Sequence, residues 1–261
     1  MNKRDDVSKL YEKSNFISNI LRYLFWINIS LVVVSILSSD SLKQATIIGQ
    51  IIIAICYLSL SVWDDCCLWY NAEATRRKNL IEDAYNIDIT NLQTEGYYNN
   101  SVSNPNLKYI LNSFESVYFS KNIAESMNCT KYTSALISLL VFVLAIKELN
   151  DRQNVMLAIQ IVFSSHLLLG FIQFCVYKMR LNTIYNEFYQ NLVTIGVNSQ
   201  KQINFLLSTV MEYEAVKAYY KVRLSTKKYN ELNSELSSSW EKICKKVKIT
   251  DEKIEHKEDD K

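Results

Sequence analysis

Four polar residues in a strongly apolar part of the chain share one side of a predicted helix. Gln50, Tyr57, Ser61 and Asp64 are separated by seven, four and three residues, and these spacings bring their side chains onto a single helical face. Because acidic groups at the mouth of a pore favour cations, this stripe is typical of a cation pathway. Small and polar residues also let helices pack closely, so a packing role stays open beside the pore-lining role.

A histidine lies in another apolar segment. His166 is near the midpoint of the apolar block 155–177. An ionisable side chain at membrane depth is costly, so we expect it to face protein or water and not lipid. His166 is therefore a further candidate for lining a pore, and a neutral imidazole hydrogen-bonded between helices is the alternative.

Basic and aromatic residues cluster in the polar segments between the apolar blocks. Arginine together with aromatic rings can hold a phosphorylated nucleotide through charge-assisted hydrogen bonds and base stacking. Juxtamembrane basic residues also bind anionic lipid headgroups, which requires no soluble ligand. The candidate ligand-binding residues are Arg76, Arg77, Lys78, Tyr97, Tyr98, Lys217, Arg223 and Lys227.

The sequence contains no constellation that could run a reaction or hold a metal. It has only two His, and its six Cys form no C-x-x-C pair that would support zinc. Walker, G-x-S-x-G and H-E-x-x-H motifs are absent from it. We therefore expect a protein that is not an enzyme and needs no metal or cofactor. The formal net charge of +2 gives no reason to expect binding to duplex nucleic acid.

Four apolar blocks would position these residues. They cover residues 16–37, 46–63, 132–146 and 155–177, and with neighbouring neutral residues each reaches roughly the 17–25 residues that cross a hydrocarbon core. The chain of 261 residues holds 4 Gly and 1 Pro, which disfavours turn-rich folds and Gly-rich nucleotide-binding domains. The sequence predicts an all-α membrane protein, with four transmembrane helices in two hairpins and a helical cytosolic domain.

Lysine and arginine in the connecting segments predict the orientation. They are concentrated in the N-terminal stretch, between the second and third blocks, and after the fourth block. The positive-inside rule therefore places both termini and the long middle segment in the cytoplasm. Two short hairpin loops are left on the outer side.

The cytosolic segments are predicted to be helical. Residues 64–89 contain no Gly or Pro, so span two should continue as one long helix that breaks near residues 90–105. Helices are also expected over 107–131, 178–197 and 203–248, with Gly196 and Asn198 marking a break. The predicted organisation is an N-terminal cytosolic segment with the first hairpin (1–63), a cytosolic helical segment (64–131), the second hairpin (132–177), C-terminal cytosolic helices (178–248) and a disordered charged tail (249–261).

Four stretches of these cytosolic segments carry a family resemblance. They are AEATRRKNLIEDAYNIDIT (72–90), EGYYNN (95–100), NSFESVYFSKNIAESM (112–127) and EAVKAYYKVRLSTKKYNELNSEL (214–236). Together with the paired spans, they resemble bacterial four-transmembrane antiphage effectors, the group that includes the SMODS-associating 4TM effectors and the similar membrane effector of the Hailong system. The chain departs from the SMODS-associated branch because its C-terminal helix lacks a Pro-containing segment.

The resemblance implies a toxic effector in the bacterial inner membrane that stays quiet until infection. It also implies that a partner nucleotidyltransferase supplies a nucleotide or oligonucleotide second messenger, and that the effector then depolarises the membrane and arrests the infected cell. A pore made of four-span chains needs several copies, and closed cyclic symmetry favours a homo-oligomer such as a tetramer. The alternatives are a membrane-disrupting effector without a defined pore and a non-toxic scaffold or receptor that recruits a cytosolic partner.

Overall fold

The computed structural model describes residues 4–5, 7–37, 40–91, 94–95, 102–147 and 154–248, and they are almost entirely helical. The predicted all-α class is confirmed. The described part also contains a two-residue antiparallel pairing of Arg4–Asp5 (β1) with Thr94–Glu95 (β2). The α-helices are α1 Ser8–Leu37, α2 Asp40–Trp63, α3 Tyr70–Tyr85, α4 Pro105–Ser126, α5 Asn128–Lys147, α6 Asn154–Tyr189, α7 Gln200–Tyr220 and α8 Thr226–Cys244.

A turn of π-helix, Asp64–Trp69, joins α2 to α3. The helix therefore runs without interruption through Gln44–Tyr85, a length of 42 residues. The predicted continuation of helix beyond residue 63 is confirmed as far as Tyr85. The helix ends there because Asn86 adopts a positive φ of 52°, a left-handed conformation that asparagine tolerates better than most residues.

The long helix Gln44–Tyr85 is the one helix of the described part that is long and apolar enough to cross a membrane. Large apolar side chains on its outer side are exposed rather than packed. Their exposed fractions run from 38% to 60% for Ile48, Ile51, Ile52, Ile55 and Leu58. The other three predicted spans stay predictions, because no other helix of the described part meets the length and hydropathy that a membrane span requires.

The chain divides into two compact units. The first comprises Met1–Asn79, Thr90–Glu95 and Thr133–Gly170. Within it, α1 and α2 pack side by side as an antiparallel hairpin. The second comprises Leu80–Ile89, Gly96–Tyr132 and Phe171–Lys261.

Aromatic side chains from α4, α6 and α8 form the core of the second unit. Phe114 on α4 is fully buried, and its ring centroid lies 5.4 Å from that of Phe188 on α6 and 5.0 Å from that of Trp240 on α8. α7 contributes the buried Tyr213, whose hydroxyl is 3.3 Å from Ser120 Oγ. This unit has the apolar interior that is typical of a helical bundle in water.

One predicted helix proves to be two helices. We expected a single helix over residues 203–248, but α7 ends at Tyr220 and α8 begins at Thr226. Lys221 adopts the left-handed conformation with a φ of 47°, and the Ser225 side chain caps α8 by accepting a hydrogen bond from the backbone N–H of Lys228. The prediction was wrong because the turn at Lys221 uses neither Gly nor Asn, the usual residue types at such a position.

Other helix boundaries were predicted with more success. The break near residue 196 is confirmed, since Gly196 has a φ of 87° and α7 starts at Gln200. The expected helix over residues 107–131 is present but is interrupted at Met127, between α4 and α5. The predicted disordered tail, 249–261, lies outside the described residues.

Candidate functional site

The interface between α1 and α2 is lined by buried polar side chains. Ser14 Oγ on α1 donates a hydrogen bond of 2.7 Å to Asp64 Oδ1 at the C-terminal end of α2, and both side chains are fully buried. Further along, Gly49 on α2 approaches Leu31 on α1 so closely that an added Cβ would lie 3.4 Å from Leu31 Cδ1. These two contacts fix the register of the hairpin.

In this register, Asn28 and Gln50 lie at the same level of the hairpin. Asn28 follows Ser14 by 14 residues and Gln50 precedes Asp64 by 14 residues, a distance of about 21 Å along either helix. Gln50 is 0% exposed and Asn28 is 3% exposed. Among the described residues, neither amide atom of Gln50 has a hydrogen-bond partner, nor does Nδ2 of Asn28. Each buried polar group in that state costs about 1–3 kcal/mol.

We use the name polar seam for the buried polar residues of this interface. On α2, three of them recur every seven residues, which is the spacing of side chains at the contact between two packed helices. The outer side of α2 is apolar and the inner side is polar, the reverse of a helix that packs in water. The polar seam consists of Ser14 and Asn28 on α1 with Thr46, Gln50, Tyr57 and Asp64 on α2 and the adjoining π-turn.

A second polar contact lies beyond the Asp64 end of the seam. Tyr11 Oη donates a hydrogen bond of 2.7 Å to Oε1 of the buried Glu73, and Arg76 Nε donates one of 3.1 Å to Glu73 Oε2. The ring of Trp69 packs edge-on against Tyr11 with the centroids 5.7 Å apart. Arg76 therefore neutralises an internal carboxylate, which is the arrangement that a buried charge requires.

The predicted pore-lining residues lie together on one side of α2 and the adjoining turn. Gln50, Tyr57 and Asp64 are buried against α1, and Ser61 is half-buried beside them. Their role in lining a pore stays a prediction, because in the single chain this side is covered by α1. The backbone of His166 belongs to α6, and its side chain lies outside the described part.

The predicted ligand-binding residues fall into two groups. Arg76 and Arg77 are half-buried and Lys78 is exposed, all on α3 in the first unit. Tyr97 and Tyr98 lie outside the described residues. The other group belongs to the second unit and consists of Lys217 near the end of α7, Arg223 in the α7–α8 connection and Lys227 in the first turn of α8.

Sequence reasoning missed Ser14, the partner of Asp64 on α1, and the buried carboxylate of Glu73. Ser14 precedes the first apolar block, so it resembled an ordinary residue of an exposed N-terminal segment. The available signal was its spacing of 14 residues from Asn28, which is two heptads and puts both side chains on one helical face. Glu73 looked like a solvated residue because its partner Tyr11 lies 62 positions away.

The fold and the seam define an all-helical protein with one helix able to span a membrane and buried polar groups along its inner side. Within the described ranges, no three His, Cys, Asp or Glu residues are grouped so that they could hold a metal ion. No family model, curated protein or solved structure matches the chain. Membership of the antiphage effector group thus stays a prediction from the four quoted stretches.

Proposed function

We propose that the protein is a membrane effector that conducts ions as an oligomer under the control of a nucleotide or oligonucleotide signal. The observation that carries the proposal is the contrast between the two sides of helix Gln44–Tyr85. Its outer side exposes large apolar groups, whereas its inner side buries Gln50, Tyr57 and Asp64. Lipid would cover the outer side, and polar groups in a bilayer are expected to face protein or water.

The wider organisation is part of the same proposal. Four transmembrane helices in two hairpins would sit in the bacterial inner membrane with both termini cytoplasmic, as the distribution of basic residues predicts. A single hairpin is too small to enclose an aqueous path, so several copies would assemble, with a tetramer as the expected closed form. The resemblance to antiphage effectors supports this assembly and its toxic role.

The polar seam would supply the conducting surface when the hairpin rearranges in the assembly. Three buried amide atoms of Gln50 and Asn28 lack hydrogen-bond partners within the described structure. A state of the assembly in which water or a neighbouring chain binds these atoms would therefore be stabilised relative to the closed hairpin. Asp64 would give one end of the path a negative charge and concentrate cations there. Each elementary charge that crosses would be driven by about 2.3 kcal/mol per 100 mV of membrane potential.

The signal would act through the basic residues of the cytosolic segments. Arg76 is bound to Glu73, so a phosphate group that competes for this guanidinium would disturb a contact just beyond the Asp64 end of the seam. In the second unit the candidates are Arg223, in the α7–α8 connection, and Lys227, in the first turn of α8. Charge-assisted hydrogen bonds to phosphate would be the shared role of these residues.

Ion conduction is tested by planar-bilayer recordings of the purified full-length protein. Asp64→Asn removes the charge but can still accept the hydrogen bond from Ser14, so assembly should persist while cation-over-anion permeability falls severalfold. Ile52→Leu, on the exposed outer side of the same helix, is the matched control and should leave the conductance steps unchanged.

Other results would replace the proposal with one of its alternatives. Leakage without discrete conductance steps would indicate a membrane-disrupting effector. An intact membrane potential in cells that overproduce the wild-type protein, with or without a signal, would favour a scaffold or receptor. Discrete steps whose selectivity is the same in the wild type and in Asp64→Asn would remove the seam from the pore.

A further inference from the structure

The turn that joins α2 to α3 uses one residue more than an α-helix would. Residues Asp64–Trp69 form π-helix, in which hydrogen bonds join residues five apart instead of four. The chain is α-helical on both sides of this turn. Single π-turns inside an α-helix are rare and occur frequently at functional sites. If the turn became α-helical, its extra residue would have to pass into one of the adjoining helices.

The helix on the C-terminal side of the turn is fastened to α1. Tyr11 Oη on α1 donates a hydrogen bond of 2.7 Å to Glu73 Oε1 on α3, and the Tyr11 ring lies 5.7 Å from the ring of Trp69 at the end of the turn. Both Glu73 and Trp69 are buried. In such a conversion, α3 would therefore stay with α1, and α2 would be the helix that moves. It would rotate by about 100° and shift by about 1.5 Å, the values for one residue.

This movement would change the side of α2 that faces α1. Each position on α2 would be taken over by the following residue, so Ile51 would replace Gln50 and Leu58 would replace Tyr57. Ile51 and Leu58 are now 38% and 52% exposed. The interface would thus exchange two polar side chains for two apolar ones, and the unpaired amide of Gln50 would leave the centre of the interface.

Two adjacent carboxylates offer Ser14 a partner in either register. Ser14 Oγ now donates a hydrogen bond of 2.7 Å to Asp64 Oδ1. After a shift by one residue, Asp65 would occupy the position of Asp64, and the hydroxyl would donate to it instead. The end of the hairpin would therefore keep a hydroxyl–carboxylate contact in both states.

The displaced polar residues would move to positions at the surface of the hairpin. Tyr57 would take the place of Cys56, and Asp64 would take the place of Trp63. Both of these places are exposed in the present register. A polar stripe that is now covered by α1 would then be open to water or to a neighbouring chain.

Gly49 is the position where the shift meets most resistance. Gln50 would take its place, and an added Cβ at Gly49 would lie 3.4 Å from Leu31 Cδ1. This atom is the end of a flexible side chain, so a change of the Leu31 rotamer makes room for the longer side chain.

We propose that the π-turn Asp64–Trp69 is a register switch for α2. With the turn in the π form, the seam residues of α2 are buried against α1, and with the turn in the α form they face away from α1. The inference rests on the proposed function and deepens it, because it names the movement that opens the ion path. The contacts that carry it all belong to the first unit.

Deleting one residue of the turn separates this switch from other motions of the hairpin. Without Cys66, which is exposed, the turn closes as ordinary α-helix while α2 keeps its present register against α1. The shortened helix would reach the other register only through an overwound turn with poorer hydrogen bonds. The matched control is Cys66→Ala, which keeps the number of residues and hence both registers.

Disulfide cross-linking reports the register without any ion current. Asn28→Cys is combined with Gln50→Cys for the present register and with Ile51→Cys for the shifted one. The full-length protein carries serine at its native cysteines, with residue 66 either deleted or Ala. Copper phenanthroline oxidises each pair in phosphatidylglycerol vesicles, and mass spectrometry of the digested protein measures the rate.

We expect both pairs to form in the control protein. In the deletion protein, the pair at positions 28 and 50 should still form. The pair at positions 28 and 51 should form at least about tenfold more slowly there, a change that corresponds to about 1.4 kcal/mol.

Two results would overturn the switch. One is a control protein in which only the pair at positions 28 and 50 forms, and the other is an equal rate for positions 28 and 51 in the control and deletion proteins. If the deletion protein does not fold, Asp65→Leu replaces it. This change removes the carboxylate that Ser14 would bind in the shifted register, so it should slow the same pair.

Bilayer recordings of the same proteins decide the proposed function separately. Exchange between the two registers without conductance would remove the channel and leave the switch standing. Full conductance in the deletion protein would show that the ion path opens without the turn, and the switch would lose its role in gating.

Discussion

The hairpin of the first unit and the bundle of the second unit use apolar and polar residues in opposite ways. In the hairpin, Asn28, Gln50 and Asp64 are buried while Ile52 and Ile55 are exposed. In the bundle, the interior consists largely of aromatic and aliphatic groups around Phe114. A surface that exposes apolar groups is stable where lipid replaces water, so the difference is the one that the proposed membrane insertion of the hairpin requires.

The buried amides Asn112 and Gln50, one in each region, differ in their hydrogen bonding. In the second unit, the buried Asn112 donates a hydrogen bond of 2.7 Å to Asp83 Oδ2. In the hairpin, the buried amide of Gln50 has no partner within the described structure. An unpaired buried group calls for an explanation, and our proposal supplies one: a second state of the hairpin that offers the partner. In our proposal the hairpin is therefore the part that changes and the bundle is the part that stays fixed.

The largest loss of stability is expected from a substitution in the bundle core. Phe114→Ala would leave a cavity among Tyr185, Phe188 and Trp240, whose ring centroids lie within 5.6 Å of the Phe114 ring. We expect a loss of about 3–5 kcal/mol of unfolding free energy, seen as a fall of roughly 10 °C in the unfolding midpoint of the purified protein.

Ile52→Ala is the matched truncation on the hairpin. Ile52 is 56% exposed, so in detergent or lipid its side chain has apolar surroundings both before and after unfolding. We expect a change of less than about 1 kcal/mol. A loss as large as that of Phe114→Ala would show that the outer side of α2 packs against protein, and the contrast between the two regions would fail.

An intermediate effect of the opposite sign is expected in the polar seam. Gln50→Leu replaces an unpaired buried amide by an apolar group of similar size, which should stabilise the closed hairpin by about 1–2 kcal/mol. The same change should lower ion conductance at least tenfold, since it removes a polar group from the proposed path and favours the closed state. The measurements are the unfolding midpoint and planar-bilayer conductance.

Ile48→Leu serves as the control, because Ile48 is exposed on the same helix. This substitution should leave the unfolding midpoint and the conductance unchanged. A fall in the midpoint of Gln50→Leu would show that the amide has a stabilising partner in the assembled protein. Unchanged conductance in Gln50→Leu would show that this level of the seam lies away from the ion path.

The sequence predicts which residues of α2 share one side of the helix, but it does not predict which residues of α1 contact them. The spacing of Gln50, Tyr57 and Asp64 places them on one side of a helix because helical periodicity depends only on nearby residues. What covers that side depends on the register with α1, where Ser14 lies 50 positions from Asp64. No pattern within α2 carries this information. The stripe was therefore recognised, while the helix that covers it and the residues that it contacts were not.

The end of α7 illustrates the same limit at a single residue. Helix ends are predicted where Gly, Asn or Pro occurs, and this rule located the break at Gly196. It failed at Lys221, which takes a left-handed conformation. The connection that follows Lys221 is held by tertiary contacts such as that of Ser225 with Met127.

The last prediction concerns the reactivity of a thiol at the edge of the bundle. Burial, followed by the charges of Glu115 and Glu241, raises the pKa of Cys244 from 9.0 to about 11. The folded state thus favours the protonated thiol, and its contribution to stability is complete below about pH 9 and is lost as the pH rises towards 11. At pH 8 the thiolate fraction should be on the order of a hundredfold smaller than that of an unperturbed thiol.

Iodoacetamide alkylation followed by mass spectrometry measures this difference in the folded protein. Cys244 should react far more slowly than Cys129, which is exposed in the same unit, and its rate should still be rising between pH 9 and 11. Because burial is the first cause of the shift, Glu241→Gln should recover only a small part of the lost rate. Equal rates for the two thiols at pH 8 would mean that the C-terminal end of α8 opens readily to solvent. Trp240 lies one turn before Cys244 and packs directly on Phe114, so such opening would also disturb the bundle core. The bundle would then not be the fixed part of the protein.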